Sequence, residues 1–143
     1  MADFWVSVAD ESSARLFATD KIKAELNEFE TLTNPEARLH ERELVAGDKG
    51  RSFDSQGDNR HAMEPQTSAR EQAAIRFAKT IAERLEQGAT DHAYNRLILV
   101  APPDMLGLLR RELDHNARER VHHTVGKDLV HAKPAAILEH LSA

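Results

Sequence analysis

The sequence predicts an α/β domain with a mixed five-stranded sheet and about three helices, and three observations lead to that class. The first third of the 143-residue chain alternates apolar and polar residues in short runs, as strands do. From Ser68 onward the apolar spacing lengthens to about four, as in a helix packed on a sheet. Between two such helical stretches stands an uninterrupted apolar run, Leu97-Ile98-Leu99-Val100-Ala101, the mark of a strand covered on both faces. Three strands, then helix, strand, helix, strand and helix, is the order of one domain with a mixed sheet, spanning residues 1–143.

The first two strands are FWVSVAD at 4–10 and ARLFAT at 14–19, with the small polar residues Glu11-Ser12-Ser13 suiting a hairpin loop between them. ELNEFETL at 25–32 follows. Strict period two puts Leu26, Glu28, Glu30 and Leu32 on one of its faces and Asn27, Phe29 and Thr31 on the other. Both faces are mixed, which predicts an edge strand, and Asn34-Pro35 ends it because proline offers no ladder donor. A long loop is expected over about 47–68. The helix after it carries Ala73, Phe77, Ile81 and Leu85, with Ala74, Ala78 and Ala82 beside them. Ser68 and Glu71 have the spacing of a capping box at its start, and Gly88 suits its exit. Pro102-Pro103 stops the central strand. Met105, Leu106, Leu109 and Leu113 form the next helix, Val121, His123 and Val125 alternate in a fifth strand, and Pro134 opens a last helix with Ile137, Leu138 and Leu141 inward.

Composition excludes several classes. With no cysteine, the chain has no disulfide framework, thiolate metal site or cysteine nucleophile, and it suits a reducing cytoplasm. The opening MADFWVSVAD has an acidic residue where a secretory signal needs a basic one, and no apolar run approaches the ~20 residues of a membrane span, so a cytoplasmic location is expected. A net charge of −5 argues against non-specific polyanion binding, and no DNA partner is expected.

One stretch, GRSFDSQGDNRHAMEPQTS at 50–68, fits neither period. It is either a tether or the working part of the domain. Here the chain resembles the bacterial family of proteins required for attachment to host cells, whose members share an opening like VSVADESSARLF, a segment like GRSFDS followed by RHAMEP, and a helix soon after. That family is similar, in its order of elements, to the central domain of archaeal and eukaryotic class I translation termination factors, a ribonuclease-H-like arrangement. The resemblance implies a long projecting loop serving as contact surface. Arg51, Phe53, Asp54, Arg60, His61, Met63, Glu64 and Pro65 would carry the contact, with Phe53 and Met63 as apolar contacts. Termination factors place a Gly-Gly-Gln motif in that loop. Here Ser55-Gln56-Gly57-Asp58 stands instead, so hydrolase activity is not carried over and no catalytic residue is assigned.

The expected function is therefore a non-catalytic binding or regulatory module with an unidentified protein partner. The alternative is a translation-linked factor that binds tRNA or the ribosome, with peptidyl-tRNA hydrolase-like activity. For that alternative Arg110, Arg111, Arg118 and Arg120, with His115, His122 and His123 nearby, offer a basic end to an RNA backbone. Glu112, Asp114 and Glu119 dilute it, no stacking aromatics accompany it, and a solvated face of interleaved charges is the competing account.

Eight histidines raise a metal site, through His61 and Glu64 or through adjacent His122 and His123. The latter two should point to opposite faces of a regular strand, so no metal and no cofactor is assigned. Asp10 is expected to bond its own hairpin loop and not to lead a two-metal nuclease site. No G-x-S-x-G elbow frames Ser52 or Ser55.

Overall fold

The computed structural model describes residues 2–21, 25–37 and 55–141, with side chains in the last segment described from residue 69. Strands β1 (Phe4–Ala9), β2 (Ser13–Thr19), β3 (Asn27–Thr33), β4 (Arg96–Val100) and β5 (Val121–Val125) form one mixed sheet in the order β3-β2-β1-β4-β5. β1 is antiparallel to β2 and parallel to β4; β2 and β3 are antiparallel, β4 and β5 parallel. The apolar run of β4 lies inside the sheet as expected, and the mixed-face strand β3 lies at its edge. A helical turn lies at 35–37, and helices α1 (Ser55–Thr90), α2 (Pro103–Glu112), α3 (His115–Glu119) and α4 (Pro134–Leu141) follow. The short α3 was not expected; Asp114 caps it by accepting from the Ala117 amide at 2.8 Å.

Alternation along the central strands divides the core into two layers. Trp5 and Ala9 of β1, with Leu97 and Leu99 of β4, meet the α1 stripe of Phe77, Ile81 and Leu85 and the α2 residues Met105 and Leu109. Phe4, Val6, Val8, Ile98 and Val100 point the other way and meet Ile137 and Leu141 of α4. Burying each of these large side chains contributes about 2–3 kcal/mol, which explains why the stripe read from the sequence keeps its place.

Both edge strands carry an irregularity that breaks the period-two expectation. In β3 the register shifts so that Glu30 pairs with Leu16 and Glu28 with Phe17, leaving Phe29 as the extra residue of a bulge. Leu26 consequently joins the α4 layer while Leu32 packs on the α1 layer, although strict alternation puts them on one face. In β5 Val121 pairs with Leu97 and His123 with Ile98, so His122 is the extra residue. His122 stands edge-on to Phe4, ring centroids 5.6 Å apart, and His123 pairs with Ile98 of the same layer. The two histidines are thus not divided between opposite faces.

The start of α1 also departs from expectation. Its backbone is helical from Ser55, so Ser68 and Glu71 lie within the helix and form no capping box. Of the loop expected over 47–68, residues 55–68 are helical, and 47–54 lie outside the described residues. The sequence of 55–68 carries no apolar residues at helical spacing, so periodicity gives no helix signal there. Pro65 lies in this stretch without an amide to donate, so one rung of the ladder is missing there.

Gly88 does not end α1 either. The helix closes with His92 in the left-handed region at φ 58°, where the Ala93 amide donates to Gly88 O at 2.8 Å and the His92 amide to Ala89 O at 3.1 Å. Gly88 is required for another reason, because a Cβ there would lie 2.5 Å from Cζ3 and 2.6 Å from Cη2 of Trp5. The buried Tyr94 beside them donates its hydroxyl to Leu85 O at 2.8 Å, and burial pushes its phenol up to about 12.

Candidate functional site

At the carboxyl ends of the parallel strands β1 and β4 the chain turns in opposite directions, from β1 into the hairpin toward β2 and from β4 into α2. Such a divergence leaves a crevice above the sheet. A groove of about 750 Å³ opens there, lined by Glu11, Arg70, Glu71, Ala74, Ile75, Asp104, Met105, Leu108 and Arg111. Its floor is apolar, from Ala74 and Ile75 of α1 and Met105 and Leu108 of α2; its rim is charged with both signs.

Local chemistry fixes the hairpin side of this groove. Asp10 Oδ1 accepts from the amides of Ser12 and Ser13, each at 2.8 Å, so it bonds its own loop as its sequence context predicts. Asn34, only 3% exposed, ties that loop to two other segments: its amide nitrogen donates to Glu11 O at 2.9 Å and to Ala73 O at 3.4 Å. Its own backbone N–H reaches Ser12 O at 2.8 Å. Sequence reasoning gave Asn34 only the role of ending a strand beside Pro35. Next to it, Arg76 of α1 holds Glu36 through both carboxylate oxygens, which anchors the chain leaving β3 against the helix.

The rim is more loosely held. Arg70 and Glu11 approach to 3.7 Å with side chains 69% and 51% exposed, a pair worth well under ~1 kcal/mol that either residue can give up for another partner. Asp104, Leu108 and Arg111 share a face of α2 by their i, i+4, i+7 spacing, and Arg70, Ala74 and Glu71, Ile75 meet on α1 in the same way. That helical spacing is the signal from which the rim could have been assembled; which two helix faces meet across the crevice is not written in either.

The four arginines of the basic segment separate. Arg110 donates to Thr124 Oγ1 at 3.0 Å. Arg118 donates to the carbonyls of Arg110 and Leu113 at 3.1 and 2.9 Å, which serves the orphan acceptors at the end of α2. Arg120 reaches Tyr94 O at 3.3 Å and lies 5.9 Å from the tyrosine ring, while Arg111 turns to the groove. Arg51, Phe53 and Asp54 lie outside the described residues, and Arg60, His61, Met63, Glu64 and Pro65 lie on α1 with side chains outside the description. Among the described residues no group of three or more histidine, aspartate or glutamate side chains is arranged to hold a metal ion, and no helix is long and apolar enough to cross a membrane.

The fold is thus a single mixed α/β sheet domain with helices on both faces and a groove where the central parallel strands diverge. Residues 5–141 match the family described as "Protein required for attachment to host cells", and the chain belongs to that family. No curated protein matches it.

Proposed function

We propose that this chain is a non-catalytic binding or regulatory module of the host-attachment family, with its contact surface on the segment from Arg51 to Pro65 and on the groove beside residues 70–75 of α1. The observation that carries the proposal is the groove itself. It lies at the carboxyl ends of β1 and β4, has an apolar floor, and has a rim whose Arg70–Glu11 ion pair is exposed and exchangeable. The helix that lines it, α1, is the element that also bears Arg60, His61, Met63 and Glu64, so a partner seated on the groove would meet that segment along one helix. Met63 would supply an adaptable apolar contact, and Arg60 and Glu64 would set polarity and register. Arg51, Phe53 and Asp54 precede the helix and would complete the surface. The protein would act in the cytoplasm, with the attachment phenotype of the family arising through regulation.

The test replaces Arg60, His61, Met63 and Glu64 together by Ala and Ser and compares capture of partners from cell lysate. Stability should stay within about 0.5 kcal/mol while capture is lost. Unfolding of the variant would assign these residues to packing. Unchanged capture would move the site to another surface.

A second reading, a translation-linked factor contacting tRNA or the ribosome, rests on the exposed Arg110 and Arg111 in the last turn of α2. Co-sedimentation with ribosomes at low salt that is lost in an Arg110→Ala, Arg111→Ala variant would favour it over the first.

A further inference from the structure

At the other end of the sheet, where β1 begins, lies a second depression unrelated to the groove. Two aromatic rings line it, Trp5 and Phe29, and Tyr94 backs Trp5 from the core: Tyr94 and Phe29 each stand 4.8 Å from Trp5 by ring centroids. Tyr94 is fully buried and Trp5 nearly so, but Phe29 is 42% exposed, the exposed large apolar side chain among the described residues. The β3 bulge is the cause, since it turns Phe29 toward Trp5 at the sheet edge instead of alternating it to the α4 side. The depression in front of these rings measures about 580 Å³.

Carboxylates supply the charge among the described residues of its lining. Asp20 and Asp91 stand at the rim, and among the described residues lining it there is no Lys or Arg. The carboxyl end of α1 also points here through Asp91, His92 and Ala93, with no basic residue in the last turn of that helix. The negative end of a 36-residue helix is therefore uncompensated by a cation of its own. The Arg84 guanidinium lies 5.1 Å over the Trp5 ring and is already paired with Glu30 at 2.9 Å.

An apolar floor of aromatic rings with carboxylates and a helix carboxyl end around it complements a side chain that is apolar along its length and cationic at its tip. We infer that this depression docks a segment of a partner protein that presents a lysine or arginine next to an apolar side chain. The apolar residue covers Phe29, and the cationic tip lies between Asp20 and Asp91. This surface lies at the opposite end of β1 from the groove.

The experiment uses the full chain and the fluorescence of Trp5, the only tryptophan it contains. The probes are a short lysine–leucine peptide, its glutamate–leucine counterpart and a lysine–serine peptide. The first should change Trp5 emission saturably, with an affinity that falls as salt rises; the other two should bind at least about tenfold more weakly. Phe29→Ser, and separately Asp20→Asn with Asp91→Asn, should each weaken the lysine–leucine peptide by about tenfold or more. Glu11→Gln, in the groove, should leave it unchanged. Should Phe29→Ser fail to fold, the aspartate variant decides alone, because both carboxylates are exposed. Equal binding of the acidic peptide, or insensitivity to the aspartate variant, overturns the proposal. So does self-association in sedimentation that excludes the peptide, which would make a second copy of the chain the occupant.

Discussion

Replacing Gly88 by alanine separates two accounts of a helix glycine, because they predict opposite signs. In an open helix interior the change gains up to about 1 kcal/mol from backbone entropy. At Gly88 the added Cβ would stand 2.5 Å from Trp5 Cζ3, 2.6 Å from Cη2 and 3.0 Å from Tyr94 Cε2, whereas a carbon contact relaxes at ~3.5–4.0 Å. The indole must then retreat by about 1 Å. Tyr94 blocks one direction, being fully buried and held by its bond to Leu85 O, so the indole moves toward Phe29. Overpacking of this kind costs about 1–3 kcal/mol and outweighs the propensity gain, leaving a net loss of up to about 2 kcal/mol, or about 3 °C in Tm per kcal/mol. Gly107 is the control: it lies inside α2 with nothing within 4 Å of a Cβ, so Gly107→Ala should stabilise by up to about 1 kcal/mol. Thermal and denaturant unfolding followed by Trp5 fluorescence measures both. A Gly88→Ala protein as stable as Gly107→Ala would refute the close packing of Trp5 on α1.

Other consequences are as definite. Ser7 is fully buried between Trp5 and Ala9, and its hydroxyl has no hydrogen-bond partner among the described residues. Removing an unpaired buried hydroxyl relieves a desolvation penalty, so Ser7→Ala should raise stability by about 1 kcal/mol; a loss in denaturant melts would show that the hydroxyl is bonded. Tyr94 is the only tyrosine, so its ultraviolet titration is unambiguous: the midpoint should lie near 12, not at 10.0. Because the raised value favours the neutral form in the fold, that stabilisation is present below pH ~10 and is lost as pH rises toward 12. Tyr94→Phe should abolish this alkaline step. Arg15, with a side chain 20% exposed, donates to Val130 O and Ala132 O at 2.9 and 2.7 Å and pairs with Glu28 at 2.9 Å. Arg15→Ala should cost about 2–4 kcal/mol by leaving these acceptors unserved, and Arg15→Lys should recover less than half because one ammonium cannot reproduce the fork. In the parent protein the Arg15 hydrogen bond holds the Glu28 carboxyl below its ordinary 4.5, so its stabilisation is present above that pH and fades as pH falls through the lowered value. NMR titration of Glu28 in the Arg15→Ala protein should show the carboxyl returning upward; an unmoved value would exclude Arg15 as the cause.

Local pattern alone determined the class of this domain and the place of its main parts. The apolar run of β4 required cover on both faces, the mixed faces of β3 required an edge, the four-residue spacing from Ala73 to Leu85 required a stripe against a sheet, and Asp10 before Ser12 and Ser13 required a bonded turn. Each of these is a property of a few consecutive residues meeting water or not, and such properties survive in the sequence. What only the tertiary structure decided involves residues that are distant in the chain or that are inserted without a composition of their own. The bulges at Phe29 and His122 shift one residue against a partner strand, and nothing in NEFET or VHHTV distinguishes them from regular strands. Helix α1 begins before its apolar stripe does, and the spacing of apolar residues reports only the stripe. Gly88 reads as a helix stop until the Trp5 ring is seen against it, and Asn34 reads as a strand end until its amide is found between Glu11 and Ala73. The groove and the aromatic depression follow from the same cause. They are made where separate elements converge, and the free energy that brings those elements together is the burial of the core, which their surface residues do not encode.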